Sequence, residues 1–387
     1  MNSQMIPYRT VIHRGGTSKA IFLMENEIPK DGMQRDKVIR AIFGSPDRRQ
    51  IDGLGGADVL TSKLAIIGPS TREDADVEYT FAQVSFDNDL VDYGGNCGNI
   101  SSAVGPFAID EGLVPAVEPV TTVRIYQTNT DCILIAEVQV QDGKACVEGD
   151  TRIDGVPGTG SPVLMNFFDS AGSTTGKVLP TGNPKDMLSV DGVGDVEVSI
   201  VDAGNVVVFV EAKTLGMKGT EACAEIEADK GLCEKIEAIR STATVKIGLA
   251  GTCEEATAKR AYAPFFAIVS KPADYPSELT GEMVKKSDID ITSRLMFMHH
   301  MHKTYPGTGS VATGAAAHIP GTLVYRQLSE EAKAKVPLRI GHPGGVMVIE
   351  AAAKQGLAEP EFTRLAYVRT ARRLMEGIAY VRSSILK

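Results

Sequence analysis

No apolar run in this 387-residue chain approaches the roughly 18 residues that a membrane-spanning helix needs. Its first residues, "MNSQMIPYRT", lack the charged and apolar regions of a secretion signal. Its six cysteines, Cys97, Cys132, Cys146, Cys223, Cys233 and Cys253, form no CxxC pair and no metal-ligand spacing. They are also too few to make a disulfide scaffold in a chain this long. A reducing cytoplasm is therefore the expected setting. Three of the six histidines fall in "HHMH" (299–302), but there is no HExxH and no companion Cys/Asp set, so no metal is expected. Excess positive charge is also missing: 40 basic against 49 acidic residues leave a net charge of −9. That disfavours nucleic acid or an anionic membrane as partner and leaves room for a local basic pocket for a small anion.

What is present is an ordinary globular composition, 43% hydrophobic and 23% charged, in a chain long enough for two domains. Short β-branched runs bounded by turn residues predict strands. In the first half these are "TVIHRGG", "KLAIIGPS", "VEYTFAQVSF", "VRIYQTNT" and "CILIAEVQV"; in the second they are "VEVSIVDAG", "VVVFVEA", "FFAIVS", "LRIGHPGG" and "VMVIEAA". Helical patterns are fewer: Asp36–Phe43, Ser101–Glu111, Cys223–Arg240, Asp288–His302 and a stretch after Val311. The turn "TGNPKD" (181–186) is the expected boundary, giving domains 1–185 and 186–387.

The halves resemble each other. "DYGGNCGNISSAVGPFAI" (92–109) and "TYPGTGSVATGAAAHI" (304–319) each carry a tyrosine, a glycine-rich turn and a helix of small residues. Cys97 precedes Arg124 by 27 residues (124 − 97) and Thr313 precedes Arg339 by 26 (339 − 313), which sets Thr313 opposite Cys97. "RGGTSKAIFL" (14–23) parallels "DAGNVVVFV" (202–210) more weakly. An internal duplication follows. With both glycine-rich turns facing one cleft, two helix N-termini would make a dicarboxylate site from backbone N–H groups.

Cys97 stands where turn becomes helix, a position that favours a thiolate and exposes its sulfur. It could serve as a carbon-acid base or as a nucleophile. Lys63 closes the loop "IDGLGGADVLTSK". A lysine there is ordinarily a solvated surface charge, but an ammonium could also pair with a substrate carboxylate and stabilise enediolate-like charge. "RGGTSK" (14–19) lacks the GxxxxGK[ST] spacing of a phosphate loop; Thr17 or Ser18 there could donate to a carboxylate. His302 lies at the end of the expected Asp288–His302 helix. "PGTGS" occurs twice, at 157–161 as a loop and at 306–310 on the second glycine turn.

With these residues in place, the chain resembles the 3-methylitaconate Δ-isomerase and 2-methylaconitate isomerase family, of diaminopimelate-epimerase-like fold, to which 4-oxalomesaconate tautomerase is related. The likeness runs over nearly the whole length, through "RGGTSK", "GSPDRRQIDGLGGAD", "LTSKLAIIGPS", "FAQV", "NCGNI", "VGPFAI", "DTRIDGVPGTG", "LPTGN", "SRLMFM", "HKTY" and "RTARRLMEG". It implies an α/β (α+β) fold of two similar domains, each a sheet wrapped around a central helix, with the site in the cleft between them. It also implies that Cys97 and Lys63 are the catalytic pair, and that Ser18 and His302 line the site. Thr17, Asn96, Gly98, Asn99, Thr308, Gly309, Ser310 and Thr313 are the remaining expected substrate-binding positions. A homo-oligomer, dimer or tetramer, is implied as well.

Epimerases of this fold use one cysteine from each domain. A threonine as the second is too weak an acid, so a single base suits a 1,3-proton shift in an unsaturated dicarboxylate, with no cofactor. The expected reaction is (R)-3-methylitaconate to 2,3-dimethylmaleate. The alternatives are a methylaconitate isomerase, an oxalomesaconate tautomerase, or a carboxylate-binding accessory protein with no activated thiol. A phenazine-biosynthesis-like enzyme is disfavoured by "NCGN".

Overall fold

The small and apolar residues of "GNISSAVGPFAI" predict a helix with no water-facing side, and the computed structural model, which describes residues 4–354 and 360–386, places one there. Every residue from Gly98 to Ile109 is buried. The chain divides into two units, Met1–Met165 with Val368–Lys387, and Asn166–Tyr367.

In the first unit, β1 (Met5–Gly15) turns tightly into β2 (Ser18–Met24), antiparallel with Gly15 opposite Ser18. Helix α1 (Gly32–Phe43) follows, its N-terminus capped by the Asp31 carboxylate, which accepts from the Gln34 N–H. Strand β3 (Lys63–Pro69) then runs parallel to β2, and β4 (Val77–Val84) antiparallel to β3. After α2 (Gly98–Asp110), β5 (Val120–Gln127) is parallel to β4 and β6 (Cys132–Gln141) antiparallel to β5. In β6 the residues Cys132, Leu134, Ala136, Val138 and Val140 are buried in alternation, the period-two pattern of a strand with one face on a core. The sheet wraps α2, which packs on β1, β2, β3, β5 and β6. On another side of this sheet α1 buries Val38, Ile39, Ile42 and Phe43 with Ile21, Leu23, Leu64 and Ile66.

The second unit repeats this order. Strands β7 (Gly194–Ala203) and β8 (Asn205–Glu211) are antiparallel, helix α3 (Lys230–Lys246) follows, and β9 (Phe265–Ser270) is parallel to β8. Strand β10 (Ile291–Phe297) is antiparallel to β9; after helix α4 (Gly307–Ala317), β11 (Leu338–His342) is parallel to β10 and β12 (Gly345–Ala353) antiparallel to β11. All residues of α4 are buried. The same antiparallel–parallel–antiparallel–parallel–antiparallel series in both units, each around a buried central helix, is the expected duplication. The two arginines that anchored it also correspond. Arg124 clasps Asp76 and Arg339 clasps Asp290, each with its backbone N–H and its guanidinium.

Four expectations change. The segment 288–302 is not a helix: Ile291–Phe297 is a strand with every residue buried, and a short apolar run covered on both faces has no periodicity to distinguish the two. Strand β13 (Phe362–Arg382) was not expected, because its arginines hide the apolar signal. It pairs first with β12 and then with β1, Arg382 reaching Met5. The division therefore falls at Met165/Asn166, and the last strand returns to the first unit, unlike the expected 1–185 and 186–387. "TGNPKD" belongs to the second unit, where Ser199 Oγ donates to the Pro184 carbonyl at 2.6 Å and the Asp202 carboxylate accepts from the N–H groups of Thr174 and Thr175. Finally, Thr313 is not at a helix start. It lies well inside α4, its hydroxyl donating to the Gly309 carbonyl at 2.8 Å; the residue before α4, where Cys97 precedes α2, is Pro306. Two short helices, Leu323–Gln327 and Glu330–Lys333, lengthen the path from α4 to β11, so counting back from Arg339 stops short of the helix start.

Candidate active site

The β1–β2 turn owes its place to glycine. A Cβ on Gly15 would lie 2.3 Å from the Asn99 carbonyl oxygen, and one on Gly16, whose φ is +51°, 2.2 Å from Asn99 Oδ1. Only bare backbone can come this close to the start of α2. The approach brings Thr17 and Ser18 to the first turn of that helix. Asn99 Nδ2 donates to Thr17 Oγ1 at 3.0 Å, and Asn99 Oδ1 accepts from Arg369 Nε at 2.9 Å. Ser18 is buried, yet its Oγ has no hydrogen-bond partner among the described residues. An orphaned buried hydroxyl costs free energy unless something completes it.

Cys97 is the residue before α2. Its backbone is extended, its side chain makes no capping hydrogen bond, and it is 7% exposed. Its carbonyl accepts the first helical N–H, from Ser101, at 2.8 Å. The preceding N–H groups, from Gly98 on, carry the partial positive charge of the helix start. Asn96 is fully buried, its Oδ1 accepting from Ser101 Oγ at 3.0 Å. Burial, and then the Glu278 carboxylate, push the Cys223 thiol up to about 12, and burial raises Cys233 as well.

Lys63 is no surface charge. It opens β3, is 2% exposed, and sends Nζ to Gln83 Oε1 at 2.7 Å, 5.6 Å from the centre of the Phe81 ring. Burial pushes its ammonium below the ordinary lysine range, while the negative charges of a Cys97 thiolate and of Asp58 pull it back up. Cys97 and Lys63 thus share one electrostatic environment. Thr17, Ser18, Lys63, Asn96, Cys97, Gly98 and Asn99 come together in the first unit.

The expected residues of the second unit gather around the start of α4. Asn205, beside the β7–β8 turn, donates through Nδ2 to Thr308 Oγ1 at 2.9 Å, an amide–hydroxyl link between turn and helix start like Asn99–Thr17 but with the two groups exchanged. Gly309 lies against Leu295, and Ser310 Oγ donates to the Gly307 carbonyl at 2.7 Å. His302 is buried in the connection that leads to α4 rather than at a helix end; its Nδ1 accepts the Thr304 N–H at 3.1 Å. The first "PGTGS" is a loop, with a bridge from Thr151 to Gly160.

Sequence reasoning passed over Gln83, Arg369 and Gln50, which hold this arrangement. The one available signal for Gln83 was a polar side chain inside the apolar strand "FAQVSF". Among the described residues no group of His, Cys, Asp and Glu could hold a metal ion, and no helix is long and apolar enough to cross a membrane.

Known proteins match this architecture over the whole chain. 3-Methylitaconate isomerase of Eubacterium barkeri is 55% identical over 387 residues, covering 100% of both chains. 4-Oxalomesaconate tautomerase of Pseudomonas putida is 38% identical, covering 96% of this chain and 95% of its own. The crystal structure of methylitaconate-delta-isomerase superposes with a TM-score of 0.81 at 54% identity, covering 100% of this chain and 98% of that one. Residues 5–382 match the family described as PrpF protein, and the chain belongs to that family.

Proposed function

We propose that this protein is an isomerase that moves a double bond within an unsaturated dicarboxylate, converting (R)-3-methylitaconate to 2,3-dimethylmaleate. The observation that carries the reading is the buried Lys63 ammonium in the field of Cys97, at the uncapped start of a helix buried from Gly98 to Ile109. The 55% identity to a 3-methylitaconate isomerase supports the substrate.

The chemistry follows from the parts. The Cys97 thiolate takes the allylic hydrogen on the carbon that also bears a carboxylate and the methyl group. The C–H pair of electrons moves into the adjacent bond, and the original C=C pair moves toward the methylene carbon. Lys63 and the N–H groups at the start of α2 stabilise the charge this places on the carboxylates. The orphaned Ser18 hydroxyl offers one of those carboxylates a donor. The Cys97 thiol then returns the proton to the methylene carbon, which becomes a methyl group. Substrate and product are isomers, so no oxidant or reductant is consumed.

The test is ¹H NMR of the purified protein with (R)-3-methylitaconate, 2-methylaconitate and 4-oxalomesaconate supplied separately. The new methyl signal of 2,3-dimethylmaleate should appear, with the highest kcat/KM of the three. Turnover of none would overturn the enzymatic reading and favour a carboxylate-binding protein; a higher kcat/KM on another substrate would reassign the reaction.

A further inference from the structure

Lys63 is held by a buried amide network. Gln83 stands directly across the β3–β4 ladder from it, and Gln83 Oε1 accepts the Nζ hydrogen bond at 2.7 Å. The amide is locked, because its Nε2 donates to the Val59 carbonyl at 3.2 Å and the Ser62 carbonyl at 2.9 Å. Two carbonyls on one side leave only the oxygen to face the lysine. The network continues outward: Ser62 Oγ donates to Gln50 Oε1 at 2.7 Å, and the same oxygen accepts the Ala57 N–H at 2.7 Å. Gln50, Ser62 and Gln83 are all buried. Polar groups in such a place must be satisfied or they destabilise the fold, and the inner end of this chain is the ammonium.

We propose that Gln83 is a positioning residue for the isomerisation, a locked neutral acceptor that fixes the Lys63 ammonium at the site. The inference rests on the function proposed above. The residue type has a chemical reason. A glutamine accepts from the ammonium without neutralising it, whereas a glutamate would compete with the substrate carboxylate for the same charge. The groups that act on Lys63 include Cys97 before α2, Asp58 from the preceding loop, and Gln83 with the Phe81 ring from β4; β2 presents Ala20 alongside it. Removing the acceptor favours the neutral amine, so the basic limb of activity should fall to lower pH. Supplying a carboxylate should raise it.

The experiment compares Gln83→Leu and Gln83→Glu with the parent in two readouts: the pH profile of kcat/KM, and titration of Lys63 by NMR in protein carrying ¹³C-labelled lysine, assigned through Lys63→Arg. For Gln83→Leu, the Lys63 titration and the basic limb should both move down by about one pH unit, with kcat reduced roughly tenfold, as expected for losing a hydrogen bond to a charged group. For Gln83→Glu both should move up, with KM raised about tenfold by competition at the ammonium. Folded variants whose Lys63 titration and basic limb stay where the parent's are would overturn the proposal. If Gln83→Leu does not fold, the isosteric Gln83→Glu decides it alone. If the parent turns over no substrate, the function reading fails, while the Lys63 titration still decides whether Gln83 holds the ammonium.

Discussion

Cys97→Ser should fold as the parent does and lose isomerase activity by about 10²–10⁴-fold, the range typical of a general acid–base group. The substitution exchanges one atom at a buried position that precedes α2. Serine is among the best residues for a helix N-cap, so the melting temperature should hold or rise slightly. The serine hydroxyl, by contrast, is not ionised near neutral pH and cannot take a carbon-bound proton. The two measurements are the thermal midpoint and kcat/KM on (R)-3-methylitaconate. Cys97→Ala should behave alike in rate, which separates the loss of a base from any effect of the new hydroxyl. Turnover near the parental value in a preparation shown by mass spectrometry to contain only the serine form would remove Cys97 from the mechanism.

Lys63→Ala should lower kcat/KM by about 10²–10³-fold, the scale seen when one preorganised donor to developing charge is removed. The loss should appear in both KM and kcat, because the ammonium attracts the substrate dianion and the more charged transition state still more strongly. Alanine also leaves a void beside Phe81 and strips Gln83 Oε1 of its partner, so some stability is lost as well. Lys63→Met fills the space without charge and separates the two effects: it should recover the part of the stability lost to the void, Gln83 Oε1 still lacking its donor, but not the rate. Lys63→Arg should recover only part of the rate, since a guanidinium fork does not occupy the place of a compact ammonium. Unchanged kcat/KM in Lys63→Ala on every accepted substrate would reduce Lys63 to a structural residue.

Much of this architecture is written in local pattern. The β-branched runs that were expected as strands are strands, and the small-residue segments after Cys97 and Pro306 are the two buried central helices. The duplication was visible because each glycine turn must let backbone pass against a helix start, a demand that leaves a recurring signature. Other features depend on partners far away in sequence. Ile291–Phe297 is buried by neighbours that its own composition does not reveal. The arginines of β13 disguise a strand because part of their counter-charge lies on other elements, Arg373 reaching Glu111 at the end of α2 as well as Glu376 of its own strand. Equal spacing to Arg124 and Arg339 sets Thr313 opposite Cys97, and the inserted helices after α4 break that equality. Gln83 escaped because a polar residue in a strand ordinarily faces water. Only its cross-strand lysine, buried with it, shows why it points inward.

The second unit's equivalent of Cys97 is Pro306, which has no proton to give, and the residues that open α4, Gly307, Thr308, Gly309 and Ser310, include no acid of useful strength. Thr313→Ala should therefore leave turnover intact. The measurement that bears most directly on the central claim is the fate of the substrate's own hydrogen when (R)-3-methylitaconate is isomerised in D₂O, with the parent and His302→Ala run side by side. If Cys97 alone removes and returns the proton, part of the product should carry that hydrogen in its new methyl group, because return competes with exchange of the thiol in a water-poor site, and His302→Ala should remain active. Complete solvent deuterium in the new methyl group together with an inactive His302→Ala would contradict the account and make Cys97 one of two bases.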